Sequence, residues 1–189
     1  MKMKSLAVLV WLLPLLSGCF PLIAATGIGA GVMVAEDRRS AGTQLEDQTI
    51  ETKASGRIQD KYGDKVHVSI TSFNRWALLT GEVPSEEVRN DLTALVLAVP
   101  NVRNVANELN IAGSTSFGSR SNDTILTTKV KSRLLNVKGV SANHVKITTE
   151  NGVVYMMGLL THKEAEAATD TTATTSGVQR VVKVLEYLD

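Results

Sequence analysis

His67-Val68-Ser69-Ile70-Thr71 returns as His144-Val145-Lys146-Ile147-Thr148, a separation of 77 residues counted from 67 to 144. Gly81 and Gly158 keep the same separation. At a separation of 76, Asp47, Lys53 and Arg57 fall on Asp123, Lys129 and Arg133, while Val102, Val105 and Leu109 fall on Val178, Val181 and Leu185. Two single-residue indels reconcile the registers. One small unit has therefore been built twice, and the fold of the chain is the fold of that unit.

Within the first copy, Ile50, Ala54, Ile58 and Tyr62 recur at four-residue spacing and make one apolar helical face, behind Asp47 as N-cap. Val66, Val68 and Ile70 alternate with polar residues, the period of a half-buried strand. Asn74-Arg75 stands where the second copy has Asn151-Gly152, and an Asn-Gly step between apolar runs signals a tight hairpin. A second strand follows, from about Trp76 to Gly81 and from Val153 to Gly158, ending on the glycine where the chain turns to the next helix. Glu86 to Val99 reads as that helix and Val102 to Ile111 as the closing strand. The second copy should repeat this with helices from about Asn122 to Val137 and Ala165 to Ser176, the latter against the poor helix propensity of its threonines. The expected fold is α+β: two tandem modules, each helix-strand-strand-helix-strand, with a three-stranded mixed sheet and two helices on one face. Gly81 and Gly158 are expected to be structural.

Upstream, Lys2 and Lys4 precede an apolar run from Leu6 to Leu16, then Ser17, Gly18 and Cys19. This is the pattern of a secretory signal peptide over residues 1–18. The run is too short for the roughly 20 apolar residues of a membrane-spanning helix. Cys19 is the one cysteine of 189 residues, so no intramolecular disulfide forms. Leu16-Ser17-Gly18-Cys19 resembles the lipobox of bacterial lipoproteins, which implies acylation of Cys19 and a mature chain that starts there. Phe20 follows in place of the aspartate that retains such proteins at the inner membrane. The resemblance thus implies lipid anchoring at the outer membrane, facing the periplasm. Residues 19–45 read as the lipidated terminus and a tether, and 113–120, rich in Gly and Ser, as a linker. Gly27, Gly29 and Gly31 lack the third spacing and the preceding strand of a phosphate-binding loop.

Residues 46–112 and 121–189 each resemble a BON domain, a module of bacterial envelope proteins with this element order and a glycine at the place of Gly81 and Gly158. Asp37-Arg38-Arg39-Ser40, Ser121-Asn122-Asp123-Thr124, Thr127-Thr128-Lys129-Val130 and Val145 through Gly152 are similar to stretches of the two-BON-domain outer-membrane lipoproteins. That resemblance implies binding of anionic phospholipid, support of envelope integrity, and enrichment at the division site in some members. In this group the position after Thr124 can carry an aromatic residue; here it is Ile125.

No enzyme is expected, and no cofactor. Motifs for a serine nucleophile, a nucleotide loop or a Cys-His pair are missing, and Glu86-Glu87 reads as helix N-terminal charge. His67 and His144 are repeat equivalents at strand starts and read as structural, since neither copy places a second His or a Cys at metal-ligand spacing. His162, near Glu164 and Glu166, reads as a solvated helix end. Formal charge is +1 overall. Residues 45–112 carry 7 basic and 10 acidic side chains, residues 120–189 carry 9 and 7, so the copies differ in sign.

The lipid-contacting element is expected to be the first helix of the second copy, because it has two apolar stripes where a core helix needs one. Leu126, Val130, Leu134 and Val137 should face the sheet. Ile125, Thr128, Ser132 and Leu135 form the second stripe, with Lys129, Lys131 and Arg133 distributed around it. The first copy offers Glu51, Ser55 and Gln59 on its matching outer side. Anionic phospholipids are the expected partner, with envelope proteins as further candidates and no nucleic acid. The alternative is a structural or protein-interaction module without lipid recognition, in which Ile125 and Leu135 pack against the tether or the first copy.

Overall fold

The computed structural model describes residues 37–112 and 117–189, with side chains from 121 onward in the second stretch. The signal peptide, Cys19, residues 19–36 of the expected tether and residues 113–116 of the expected linker lie outside the described residues.

The first helix, α1 (Ala41–Tyr62), starts well before Asp47. Ser40 is its N-cap, with Ser40 Oγ accepting from the Thr43 N–H at 3.1 Å. Asp47 is thus not the cap, and residues 41–45 are helix instead of tether. Ile50, Ala54 and Ile58 are buried as their spacing requires. The helix stops at Gly63, whose N–H still bonds the Gln59 carbonyl while its φ of +54 turns the following chain out of the helix. Strands β1 (His67–Phe73) and β2 (Trp76–Val83) pair antiparallel around Asn74-Arg75. Both turn residues have positive φ, 51 and 66, the conformation that matches the strand twist in a two-residue hairpin. Helix α2 (Glu86–Leu97), capped by Ser85, then carries the chain over to β3 (Asn104–Ile111), parallel to β2.

The second copy repeats the order with α3 (Phe117–Leu134), β4 (Val145–Glu150), β5 (Val153–Leu160), α4 (His162–Ala173) and β6 (Arg180–Tyr187). The sheets run β1-β2-β3 and β4-β5-β6. This is the α+β arrangement of two mixed three-stranded sheets expected from the repeat. Further boundaries differ. Helix α3 begins at Phe117, inside the expected linker. Helix α4 starts at His162 because Thr161 and Glu164 form a reciprocal capping box ahead of it. Its threonines are accommodated by folding hydroxyls back onto the helix: Thr169 donates to the Ala165 carbonyl and Thr172 to that of Ala168.

A further difference concerns the glycines. Strands β2 and β5 run two residues beyond Gly81 and Gly158, so neither ends its strand. Gly81 pairs with Val68 on one side and Leu109 on the other. The need for glycine is close backbone approach: a Cβ on Gly81 would collide with the His67 carbonyl, and one on Gly158 would stand 2.6 Å from the His144 oxygen.

In each module both helices cover one sheet face. Ile50, Ala54, Ile58, Leu92 and Val96 meet Ala77, Leu79 and Val83 in the first. Leu126, Val130, Leu134, Ala165 and Ala168 meet Val154, Met156 and Leu160 in the second. The opposite faces are not left to solvent. Phe73, Leu78, Tyr155 and Met157, none more than 3% exposed, form one cluster drawn from both modules, so the two sheets bury their second faces against each other.

The segment before α1 adds to this contact. Arg38 Nη1 donates to the Leu159 carbonyl at 2.7 Å, and its guanidinium grips both Glu164 oxygens at 2.8 Å. These bonds, with help from Thr161 and against burial, hold the Glu164 carboxyl down at about 2. A carboxyl depressed on folding contributes stability that is complete above its ordinary value of 4.5 and is lost as pH falls toward about 2. Glu164→Gln is therefore expected to lower the thermal midpoint at pH 7 and to flatten its fall between pH 4.5 and about 2. Circular dichroism melts across that range check it; parallel wild-type and variant curves would contradict the assignment.

Candidate functional site: the outer face of helix α3

Helix α3 separates its two stripes sharply. Leu126, Val130 and Leu134 are buried in the core, and Val137 packs against them just beyond the helix. The other stripe faces outward, with Ile125 at 55% exposure, Leu135, one residue past the end of the helix, at 71%, and Thr128 and Ser132 exposed between them. The alternative, in which Ile125 and Leu135 pack against the tether of residues 19–45 or the first copy, falls partly on residues 19–36, outside the described ones.

Cations flank this stripe unevenly. Lys129 and Ile125 border one open cleft of about 540 Å³, which runs to Asn151 and Gln179. Lys131 and Leu135 border another of about 620 Å³, which runs to Lys146 and Phe73. Each outward apolar side chain thus has a lysine and a concavity beside it. Arg133, though exposed, is already committed: it donates to Thr175 Oγ1 at 2.9 Å and Thr174 Oγ1 at 3.1 Å, tying α3 to the end of α4. Of the three expected basic contacts, two are left with their head groups in solvent and one is a brace.

The matching face of α1 differs in charge and in use. Ser55 and Gln59 are exposed, but Glu51 is not simply solvated. It accepts from Lys146 Nζ at 2.6 Å and from the Ser72 N–H at 2.7 Å, and so bridges the modules.

Sequence reasoning missed the role of the repeat-equivalent aspartates. Asp47, 2% exposed, accepts from the Asn74 and Arg75 N–H groups at 2.9 and 2.7 Å and from Ser72 Oγ at 2.8 Å. Arg39 Nη1 adds a fourth bond at 2.8 Å. Asp123 does the same for the second hairpin, accepting from Asn151 N–H and Gly152 N–H, both at 2.8 Å. The available signal was the joint recurrence of an Asp and a two-residue turn in both copies.

The histidines also diverge. His67 opens β1, whereas His144 closes a short 3-10 turn ahead of β4. His162 begins α4 and is exposed, stacked on Tyr187 at 4.1 Å and bonded to Asp189 at 2.8 Å. Among the described residues no helix is long and apolar enough to cross a membrane.

The BON domain profile matches residues 46–113 and 122–189. The chain is 38% identical to outer membrane lipoprotein DolP of Haemophilus influenzae, over 99% of this chain and 97% of that protein. It is 30% identical to the 21 kDa hemolysin of Actinobacillus pleuropneumoniae, over 80% of this chain and 79% of that one. Osmotically-inducible protein Y of Escherichia coli is 25% identical over 82% of this chain and 80% of its own length.

Proposed function

The chain belongs to the BON domain family in both of its modules, and from that premise we propose that it is a non-enzymatic outer-membrane lipoprotein that binds anionic phospholipid through the outer face of α3. The anchor is the acylated Cys19, and the modules face the periplasm, where the protein supports envelope integrity. The outer-membrane placement is supported by the name of the Haemophilus influenzae relative, matched over nearly the full length of both chains. Several acyl chains hold such an anchor essentially permanently, whereas one chain alone gives an association constant of only about 10⁴ per molar.

The observation that carries lipid binding is the exposure of Ile125 on α3 and of Leu135 just past its end, each beside a lysine, in the module with net positive charge. Large apolar side chains in water on a charged rim suit the boundary between headgroups and acyl chains. Lys129 and Lys131 near an anionic surface contribute about 1 kcal/mol each, and full burial of Ile or Leu about 1.5–3 kcal/mol. Thr128 and Ser132 leave the stripe between them shallow, and Arg133 shapes it by fixing α3 against α4.

A Cys19→Ala form is expected to leave the membrane fraction and to float with vesicles rich in anionic lipid. That flotation should weaken as salt is raised. Replacing Ile125 and Leu135 together by Asp should abolish it. Equal flotation of the double variant, with an unchanged circular dichroism spectrum, would transfer this face to a protein-interaction role.

A further inference from the structure

Binding of anionic phospholipid by α3 leaves open which of the two membranes around the periplasm it meets. The point where the tether joins the fold decides this. Asp37, the first described residue, borders the same open cleft as Lys131 and Leu135. Ile125 lies ten residues before Leu135, about 15 Å at 1.5 Å per residue, so the whole outer stripe is close to that point. The junction is also held from both modules. Asp37 accepts from the Arg39 N–H and from Arg39 Nη2, both at 2.8 Å. Arg39 in turn bonds Asp47 of the first module and stands 3.9 Å over the Phe73 ring. Arg38, between them in sequence, is clamped to Leu159 and Glu164 of the second. Side-chain exposures of 13% at Arg39 and Glu164 make these bonds stronger than solvated pairs. The tether therefore starts at the seam of the two modules, on the rim of the lipid-binding face.

Resting on the lipid-binding reading of α3, we infer that its outer face docks on the leaflet that holds the Cys19 acyl chains, and not on a second membrane. The residues from Cys19 to Glu36 reach at most about 65 Å. A folded body of about 150 residues is roughly 40 Å across. If the face turned to a second membrane, the start of the tether would turn away with it. The chain would then use roughly 40 Å of its reach to pass the body, before any gap between membranes is bridged. With the face turned to the anchor's own leaflet, the stripe and the start of the tether meet the headgroups together, and none of that reach is needed. Lipid contact is then an intramolecular step, at an effective concentration on the order of millimolar. Two lysines and two apolar side chains are enough for such a step, although they make a weak binder in free solution.

The test follows the amine reactivity of Lys129 and Lys131 by mass spectrometry, in the full-length lipoprotein reconstituted into vesicles. With phosphatidylserine in the anchoring vesicle, both amines should react at least about fivefold more slowly than in phosphatidylcholine alone. The slowing should persist at a salt concentration that already releases the Cys19→Ala form from the same lipids, because the anchored contact is intramolecular. Protein anchored in phosphatidylcholine and mixed with separate phosphatidylserine-containing vesicles should show neither slowing nor vesicle clustering by light scattering. Deleting residues 27–34 leaves at most about 35 Å of tether and should not reduce the slowing in the anchoring vesicle. Clustering with slowed amines in the mixed vesicles would overturn the inference, as would loss of slowing in the shortened protein. So would fully reactive amines in the anchored protein while the Cys19→Ala form still floats with anionic vesicles. Absence of both slowing and flotation would remove the lipid-binding reading itself, and the inference with it.

Discussion

Gly81→Val is expected to cost more than about 4 kcal/mol and to abolish cooperative folding of the first module. Two independent effects add at this residue. Its φ of +119 lies in a region that a β-branched side chain does not tolerate. A Cβ there would also overlap the carbonyl group of His67, which is backbone and cannot rotate aside. Gly81 sits in the central strand, so moving β2 away would break its pairing with both Val68 and Leu109. Gly158→Val serves as the internal comparison. Its backbone is not at positive φ, and a Cβ would meet the His144 oxygen at 2.6 Å, so only the steric part applies and the loss should be smaller. Urea unfolding followed by circular dichroism measures both. A Gly81→Val protein within about 1 kcal/mol of wild type would show that the strand can yield.

Asp47→Ala ranks second, with a loss of about 3–5 kcal/mol. The carboxylate satisfies two hairpin N–H groups, the hydroxyl of fully buried Ser72, and Arg39. Truncation strands all of them at once, and an unsatisfied buried donor costs about 1–3 kcal/mol. The turn it holds is already unfavourable, because Arg75 adopts a φ of +66 where the second copy has Gly152. Asp123→Ala removes only two acceptor contacts, to Asn151 and Gly152 N–H, and should cost about half as much. Asp47→Asn keeps one acceptor oxygen and should fall between wild type and Asp47→Ala. If Asp47→Ala and Asp123→Ala proved equal in thermal or urea unfolding, the extra bonds to Ser72 and Arg39 would be contributing nothing.

Much of the candidate surface was legible before any coordinates. The spacing of Leu126, Val130 and Leu134 marks the buried stripe of α3, and by elimination Ile125 and Leu135 mark the outer one. Arg133 was misjudged because its position on the helical wheel says nothing about Thr174 and Thr175, which reach it from the far end of α4. Asp47 was misjudged for a related reason. An Asp ahead of an apolar periodic run satisfies the local pattern of a cap, yet the true cap is Ser40, and the carboxylate serves a turn 27 residues away. Glu51 was read as outer polarity, and it is Lys146 of the other module that gives it a function.

Residue order alone was enough to establish the repeat, the order of elements, the hairpins and the helix-covered sheet faces, since each rests on a local period or a local turn chemistry. It also held a signal about the seam: Trp76-Ala77-Leu78-Leu79 and Val153 through Met157 are apolar without alternation, as strands covered on both faces are. What covers the second face could not be read there. Periodicity reports whether a side chain leaves water and carries no address for the group it meets. Only the fold brings Leu78 and Phe73 onto Tyr155 and Met157, and sets Glu150 beside His67 and Glu82, because those contacts depend on how two finished sheets pack and not on any spacing along the chain.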